Sequence, residues 1–159
     1  AQQRTEEALR ALAQAQRRTE EALHLTRQEV GALSEAIGMG LEDIARITLP
    51  GYLERHLGVH LAGELGEELR RWMIGPEGQE IEFNLYGEGQ RDGTPVTVVG
   101  ETKSRIYSDD VARFLKRLRS VEDSLTGEVI PVMFGYAVHP VATKLARERG
   151  VLLVASYQR

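Results

Sequence analysis

Two charged side chains stand at the end of an apolar segment. Residues 96–99 are Val-Thr-Val-Val, and Glu101 and Lys103 follow them closely. This composition is typical of a buried strand. Because alternate residues of a strand face the same way, we expect the carboxylate and the ammonium to share one face. Burying two charges is unfavourable unless they pair, bind a metal ion or do chemistry, so Glu101 and Lys103 are the first candidates for a catalytic site.

A second strand is expected to bring oxygen ligands to this pair. Residues 80–86 alternate between polar and apolar side chains, which predicts a strand with one buried face. A loop over residues 87–95 would make an antiparallel hairpin and carry Glu82 and Asn84 toward the charged pair. Oxygen side chains beside a lysine suit Mg²⁺ or Mn²⁺, which activates a water for attack on a phosphodiester. The alternative is a surface ion pair of little energetic value.

The elements that must position these residues follow from the apolar patterns. Beyond the hairpin, the patterns predict a helix over residues 108–125, a strand over 129–138, a helix from Pro140 to Arg149 and a strand over 151–155. Strands that alternate with helices in this order predict an α/β fold, with a mixed sheet flanked by helices.

A further helix is expected over residues 52–73. Its apolar stripe consists of Leu57, Leu61, Leu65, Leu69 and Trp72. Two carboxylates, Glu64 and Glu68, border this stripe. A solvated flank of the helix is the first explanation for them, and a role in the site is the alternative.

The first 48 residues carry a heptad pattern, which predicts a coiled coil. Its aliphatic positions are Leu9, Leu12, Leu23, Val30, Leu33, Ile37, Ile44 and Ile47. The sequence Arg-Thr-Glu-Glu-Ala-Leu at residues 4–9 recurs at residues 18–23, an offset of two heptads. We expect self-association through residues 1–48, with packing onto the chain's own globular part as the alternative. Pro50-Gly51 would end the helix, which predicts an oligomerisation helix over 1–49 and a globular domain over 50–159.

Charge is unevenly distributed along the chain. The formal net charge is -4, which argues against a protein that coats nucleic acid. Residues 103–119, however, contain six lysines and arginines against two aspartates. This local excess can meet phosphates, and the candidate DNA contacts are Arg105, Arg113, Lys116 and Arg117.

Composition limits the kinds of site that the chain can contain and the cellular location that we expect for it. The absence of cysteine excludes disulfides and thiolate metal sites. The sequence has neither a long apolar run nor the apolar segment of a signal peptide, so we expect a cytoplasmic protein without a membrane span.

The Gly-Glu-x-Lys-Ser strand, the polar strand before it and the order of elements resemble the PD-(D/E)XK nuclease superfamily, in its branch with an N-terminal coiled coil. The resemblance covers about residues 53–155. It implies a restriction-endonuclease-like fold and a Mg²⁺- or Mn²⁺-dependent DNA endonuclease acting on duplex or branched DNA. It further implies that Glu101 binds the metal, that Lys103 assists the attacking water, and that Glu64 or Glu68 supplies a helix carboxylate.

One position departs from the pattern of that family. Asn84 stands where an aspartate is usual, with Glu82 on the same face of the strand. An amide oxygen can ligate a cation but brings no charge, so either Glu82 serves as the ligand or metal binding is weaker. Two functions remain as expectations: a DNA endonuclease assembled through its coiled coil, or an inactive scaffold of nuclease fold that binds DNA or protein.

Overall fold

The computed structural model describes residues 1–158, and all of their side chains except those of residues 34 and 36–39. The chain divides into two compact units, Ala1–Ile37 and Gly38–Arg159. Helix α1, Gln2–Leu57, contributes to both. Ile37, one of the predicted heptad positions, is among the residues whose side chains the structure does not describe. In the described chain, none of the helices is long and apolar enough to cross a membrane.

The first unit is helical and exposes its heptad stripe. At least half of the surface of each of Leu9, Leu12, Leu23, Val30 and Leu33 is accessible to solvent. Two threonines, Thr19 and Thr26, interrupt the stripe. Their hydroxyls donate to carbonyls one turn earlier, at Ala15 and Ala22. The stripe is thus available to a partner helix.

The second unit is built on a mixed sheet. Within residues 38–158, the sheet strands are β1 His60–Leu61, β2 Arg70–Ile74, β3 Ile81–Arg91, β4 Thr94–Thr102, β6 Glu128–Gly135 and β8 Leu152–Ala155. Their order is β1-β3-β4-β6-β8, with β2 also paired to β3. A small separate sheet consists of β5 Arg105–Ile106 and β7 Ala137–Val138. The helices are the end of α1, α2 Ser108–Val121, a 3-10 turn Glu122–Ser124, and α3 Pro140–Arg149.

Strand β3 pairs antiparallel with β1, β2 and β4, whereas β4, β6 and β8 run parallel. Parallel strands need crossover connections, which α2 and α3 supply. The α/β architecture, with a mixed sheet flanked by helices and preceded by a long helix, is therefore confirmed. It is the arrangement that a restriction-endonuclease-like fold implies.

Each face of the sheet has its own core. On one face, Leu41, Ala45, Leu49 and Leu53 of α1 are completely buried with apolar residues of β3, β4 and β6. The other core contains the apolar face of α2, and the rings of Phe114 and Phe83 meet edge to face with centroids 6.2 Å apart. The two helix layers hold β3 and β4 between them, which fixes the site described below.

The end of the first helix was predicted wrongly. Helix α1 does not end at Pro50 but continues to Leu57. A proline inside a helix costs about 3 kcal/mol, and the burial of Leu49 and Leu53 on either side offsets this cost. The predicted domain boundary at residue 49 consequently falls inside α1, whereas the two units divide between residues 37 and 38.

The helix predicted over residues 52–73 is also wrong beyond Leu57. Residues 63–69 form turns and bends, followed by strand β2. Gly58, Gly63 and Gly66 have positive φ angles of 67°, 119° and 88°, which a right-handed helix cannot contain. Leu65, expected in an apolar stripe, is 99% exposed.

The hairpin loop is shorter than predicted. Strands β3 and β4 pair as far as Arg91 and Thr94, leaving Asp92 and Gly93 as the turn. Both turn residues have positive φ angles, 52° and 78°, as a two-residue hairpin turn of type I′ requires.

Candidate functional site

The site lies where β3 and β4 separate. Their pairing ends at Leu85 opposite Gly100, and the pairing of β3 with β2 shifts register in the same stretch. Such bulges often lie beside active sites because they redirect side chains. The side chain of Asn84 bridges the gap: its Oδ1 accepts a hydrogen bond from the Thr102 N–H at 3.2 Å.

Asn84 also contacts a buried carboxylate on α1. Its Nδ2 donates to Oε1 of Glu42 at 3.1 Å. The Glu42 side chain is only 9% exposed, and arginines complete its surroundings. Arg71 donates to Oε1 at 2.5 Å and, through Nε, to Oε2 at 2.9 Å, while Arg46 donates to Oε2 at 3.1 Å. Each carboxylate oxygen thus has two donors, which offsets the cost of burying the charge.

Glu101, on β4, and Lys103, one residue beyond the end of β4, both contact α2, as expected for side chains that face the same way. The Glu101 carboxylate, 18% exposed, forms an ion pair with Arg117. Arg117 also donates to the Glu82 carbonyl at 2.7 Å, and its guanidinium lies 5.1 Å from the centre of the Phe83 ring. Arg117 is therefore held by contacts on β3 as well as by the carboxylate on β4.

The ammonium of Lys103 pairs with Asp110, the third residue of α2, at 3.0 Å. Asp110 also accepts the Tyr107 N–H at 2.9 Å, which caps the helix. Burial alone would raise the pKa of Asp110, but the Tyr107 hydrogen bond and the charges of Lys103 and Arg113 outweigh it and lower that pKa. Asp110 is thus a charged anchor that sets the position of Lys103.

Glu82 lies at the border of the site. Its half-exposed carboxylate accepts from Arg71 at 3.1 Å, so Arg71 bridges Glu82 and Glu42. The hydrogen bonds that Arg71 donates to these two carboxylates raise the pKa of Arg71, and the bond to Glu42 has the larger effect. The structure therefore brings Glu82, Asn84, Glu101 and Lys103 to one region of the unit.

Glu64 and Glu68 do not supply the helix carboxylate that the sequence predicted. They lie in the turns between β1 and β2, where the Glu68 carboxylate accepts the Gly66 N–H at 3.0 Å. Glu68 lines a cavity of about 520 Å³ together with Gly51, Glu54 and His60. The helix carboxylate that contacts Asn84 is Glu42 of α1.

The candidate DNA contacts differ in their surroundings. Arg105, Arg113 and Lys116 are exposed, and the guanidinium of Arg113 is 3.7 Å from Asp110. Arg117 is half-buried in its contacts with Glu101 and β3. Three of the four predicted residues therefore present free surface to a ligand, whereas Arg117 belongs to the site itself.

The donor set is compatible with a hard divalent cation. The Glu42 carboxylate is buried and the Glu101 carboxylate is 18% exposed, and the amide of Asn84 connects Glu42 to the backbone of Thr102, the residue after Glu101. Within residues 1–158, histidine, aspartate and glutamate side chains do not form a group of three that could hold a metal alone. Mg²⁺, however, commonly takes one or two carboxylates and completes its shell with water and substrate phosphate oxygens. An ion bound in that way would need one or two of these carboxylates, once the arginines that now bind them have moved.

Comparison with known proteins gives one family and several distant structures. A family model described as "Domain of unknown function (DUF8196)" matches residues 55–159. None of the curated proteins matches the sequence. Among solved structures, the protein of unknown function AF1548 is similar over 74% of this chain and 60% of its own, with 18% identity and a TM-score of 0.49.

Two further structures have named activities. A repair endonuclease from Pyrococcus abyssi is similar over 67% of this chain and 44% of its own, with 14% identity and a TM-score of 0.43. The MspJI restriction endonuclease in complex with a 27-mer oligonucleotide is similar over 83% of this chain and 29% of its own, with 19% identity and a TM-score of 0.46. The chain spans less than two thirds of each of these proteins, and its function is inferred below from its own side chains.

Proposed function

The chain belongs to the DUF8196 family, whose description names no activity, and we propose that it hydrolyses phosphodiester bonds of DNA with a bound Mg²⁺ or Mn²⁺ ion. One observation carries the proposal. Asn84, at the point where β3 and β4 separate, links the buried carboxylate of Glu42 to the strand end that holds Glu101 and Lys103. Glu42 supplies the negative charge that Asn84 lacks.

Glu101 and Glu42 would hold the ion, with the amide oxygen of Asn84 as a neutral ligand. When bound, the ion lowers the pKa of a water and offsets charge on the phosphodiester. The arginine partners are more exposed than the carboxylates: Arg71 is 49% and Arg117 is 36% exposed. A guanidinium that leaves its carboxylate becomes available to bind a phosphate.

Lys103 has the charge and position to orient the attacking water. Its ammonium pairs with Asp110 near the start of α2, and its side chain is half-exposed, so the charge is positioned by the fold while remaining open to solvent. The exposed side chains of Arg105, Arg113 and Lys116 would then contact the DNA backbone without sequence specificity.

Self-association through the first unit completes the proposal. The exposed heptad stripe of α1 would pack against other copies of this chain and so bring more than one site to a DNA molecule.

A second candidate is an inactive scaffold that binds DNA or protein. It is favoured by the saturation of Glu42, whose two oxygens accept from Arg46, Arg71 and Asn84. A carboxylate has about four lone-pair sites, so in this arrangement Glu42 has none left for an ion.

Cleavage of end-labelled duplex and branched DNA separates the two candidates. With Mg²⁺ or Mn²⁺, the parent should cut, and Glu101→Gln and Lys103→Met should each reduce the rate by about a hundredfold or more. The exposed residues Glu148 and Lys144 of α3 provide matched controls, and Glu148→Gln and Lys144→Met should cut like the parent. Equal cutting by all four variants would exclude this site, and a parent that binds DNA without cutting it would support the scaffold.

A further inference from the structure

The sole tryptophan of the chain lies on the surface beside the candidate site. Trp72 stands on β2, at the edge of the sheet, and is 46% exposed although the sequence predicted it in an apolar stripe. Its ring stacks on Tyr86, with centroids 5.8 Å apart and planes inclined by 18°. The guanidinium of Arg70 lies 4.5 Å from the ring centre.

The supporting ring is fixed in place. Burial, followed by the hydrogen bond to Glu88, raises the pKa of Tyr86 to about 12, so its hydroxyl stays protonated. That hydroxyl donates to the Glu88 carboxylate at 2.6 Å. Trp72 therefore rests on an anchored aromatic platform and keeps part of its own surface in solvent.

Trp72 lines a cavity of about 340 Å³ together with Arg71, Met73 and Glu82. Met73 is also half-exposed, so two large apolar side chains line an open cavity. Arg71 connects the cavity to the candidate site, because the same guanidinium binds Glu82 and Glu42. Only the Arg71 side chain would thus separate a ligand in the cavity from Glu42.

These side chains suit a flat aromatic ligand that carries a phosphate. The indole offers a face for stacking, and Glu82 offers acceptors for exocyclic amino groups. Arg70 and Arg71 offer guanidiniums to a neighbouring phosphate. A nucleobase within a polynucleotide has all three features. Stacking of bases on exposed aromatic side chains, with arginine nearby, is the usual basis of single-strand binding.

We propose that this cavity binds one unpaired nucleobase of the substrate, stacked against Trp72. The proposal rests on DNA being the substrate and specifies its class: DNA with a single-stranded, displaced or flipped nucleotide beside the cleaved bond. A base inside an intact duplex is stacked on both sides and cannot enter a cavity of this size without leaving the helix.

The single tryptophan makes the contact directly measurable. Fluorescence of the full chain should be recorded without divalent cations and with EDTA, while a single-stranded thymidine oligonucleotide or a blunt duplex of equal length is added. Stacking on Trp72 should quench the emission with the single strand and leave it nearly unchanged with the duplex. Unchanged emission at saturating single strand, with saturation established by anisotropy of a labelled oligonucleotide, would overturn the proposal.

Variants test whether Trp72 contributes to affinity. Trp72→Leu should weaken single-strand binding by about tenfold, as expected for the loss of one stacked base, and Trp72→Phe should retain most of it. Tyr157→Leu removes an exposed aromatic ring outside the cavity and should bind like the parent. Equal affinity of Trp72→Leu and the parent would contradict the proposal even if the parent cuts DNA. Absence of cutting would leave this binding result unaffected, so the two proposals can fail separately.

Discussion

The amide of Asn84 donates to the buried carboxylate of Glu42 at 3.1 Å and, through its oxygen, accepts the backbone N–H of Thr102 at 3.2 Å. One neutral side chain therefore joins α1 to the end of β4. An aspartate at this position could still accept from Thr102 but would face Glu42 with a like charge. The amide is thus suited to a site in which a helix carboxylate already supplies negative charge.

Asn84→Asp should destabilise the protein in the absence of metal. The substitution replaces a hydrogen-bond donor with a carboxylate about 3 Å from Glu42, and we expect the free energy of unfolding to fall by about 2 kcal/mol. Mn²⁺ should recover part of this loss, because an ion bound to the folded state stabilises it. Urea denaturation with and without Mn²⁺ measures both effects. Gln90→Glu, on an exposed position of β3, is the matched control and should be nearly neutral.

Arg117→Met should leave Glu101 without its charged partner. The loss of the ion pair, of the hydrogen bond to Glu82 and of the contact with Phe83 should lower the free energy of unfolding by about 2 kcal/mol. Because the carboxylate is then free, Mn²⁺ should stabilise the variant more than the parent. Arg113→Met removes only a long contact from an exposed side chain and should change stability by less than about 0.5 kcal/mol. An identical response of Arg117→Met and the parent to Mn²⁺ would argue against a cation at Glu101.

Asp110→Ala should show a pH-dependent loss of stability. The pKa of Asp110 is lower in the folded protein than its ordinary value of 3.8, so its charge stabilises the fold above that value. At pH 7, losing the cap and the Lys103 pair should cost about 1–2 kcal/mol. The difference from the parent should shrink as the pH falls below 3.8 and through the folded pKa. Denaturation curves at pH 7, 5 and 3 provide the measurement, and a constant difference across them would refute the assignment.

The first unit should assemble copies of the chain. Sedimentation velocity should show an oligomer for the parent and a monomer for Leu23→Asp, because the charge falls in the middle of the heptad stripe. Gln28→Asp lies on the opposite, polar side of the heptad and should leave the oligomer intact. A monomeric parent would contradict the coiled-coil assignment and would favour an exposed helix that serves another partner.

Local patterns were sufficient to predict most of the sheet and helices. The helix from Pro140 to Arg149 follows from its own residues and their neighbours, and it is confirmed with the predicted bounds. Strand alternation is a local property and predicted that Glu101 and Lys103 face the same way; both contact α2, although Lys103 lies one residue beyond the end of β4.

Long-range contacts explain what was missed. Glu42 lies in a stretch whose apolar spacing resembles the preceding heptads, and its burial depends on Arg71, 29 residues away, and Asn84, 42 residues away. Its only sequence signal is its place between Leu41 and Ala45, which turn out to be core residues. Trp72 matched a helical stripe, but the glycines before it adopt φ angles that exclude a helix, and the residue became part of an exposed edge strand.

Calorimetric titration of Mn²⁺ into the full chain, compared with Glu101→Gln and Glu42→Gln, tests the central claim most directly. The metal-dependent proposal predicts binding by the parent and a loss of at least about tenfold in affinity for each variant, since each removes one charged oxygen ligand. Circular dichroism should show that both variants remain folded. Absence of Mn²⁺ binding by the parent, or equal binding by all three proteins, would contradict it.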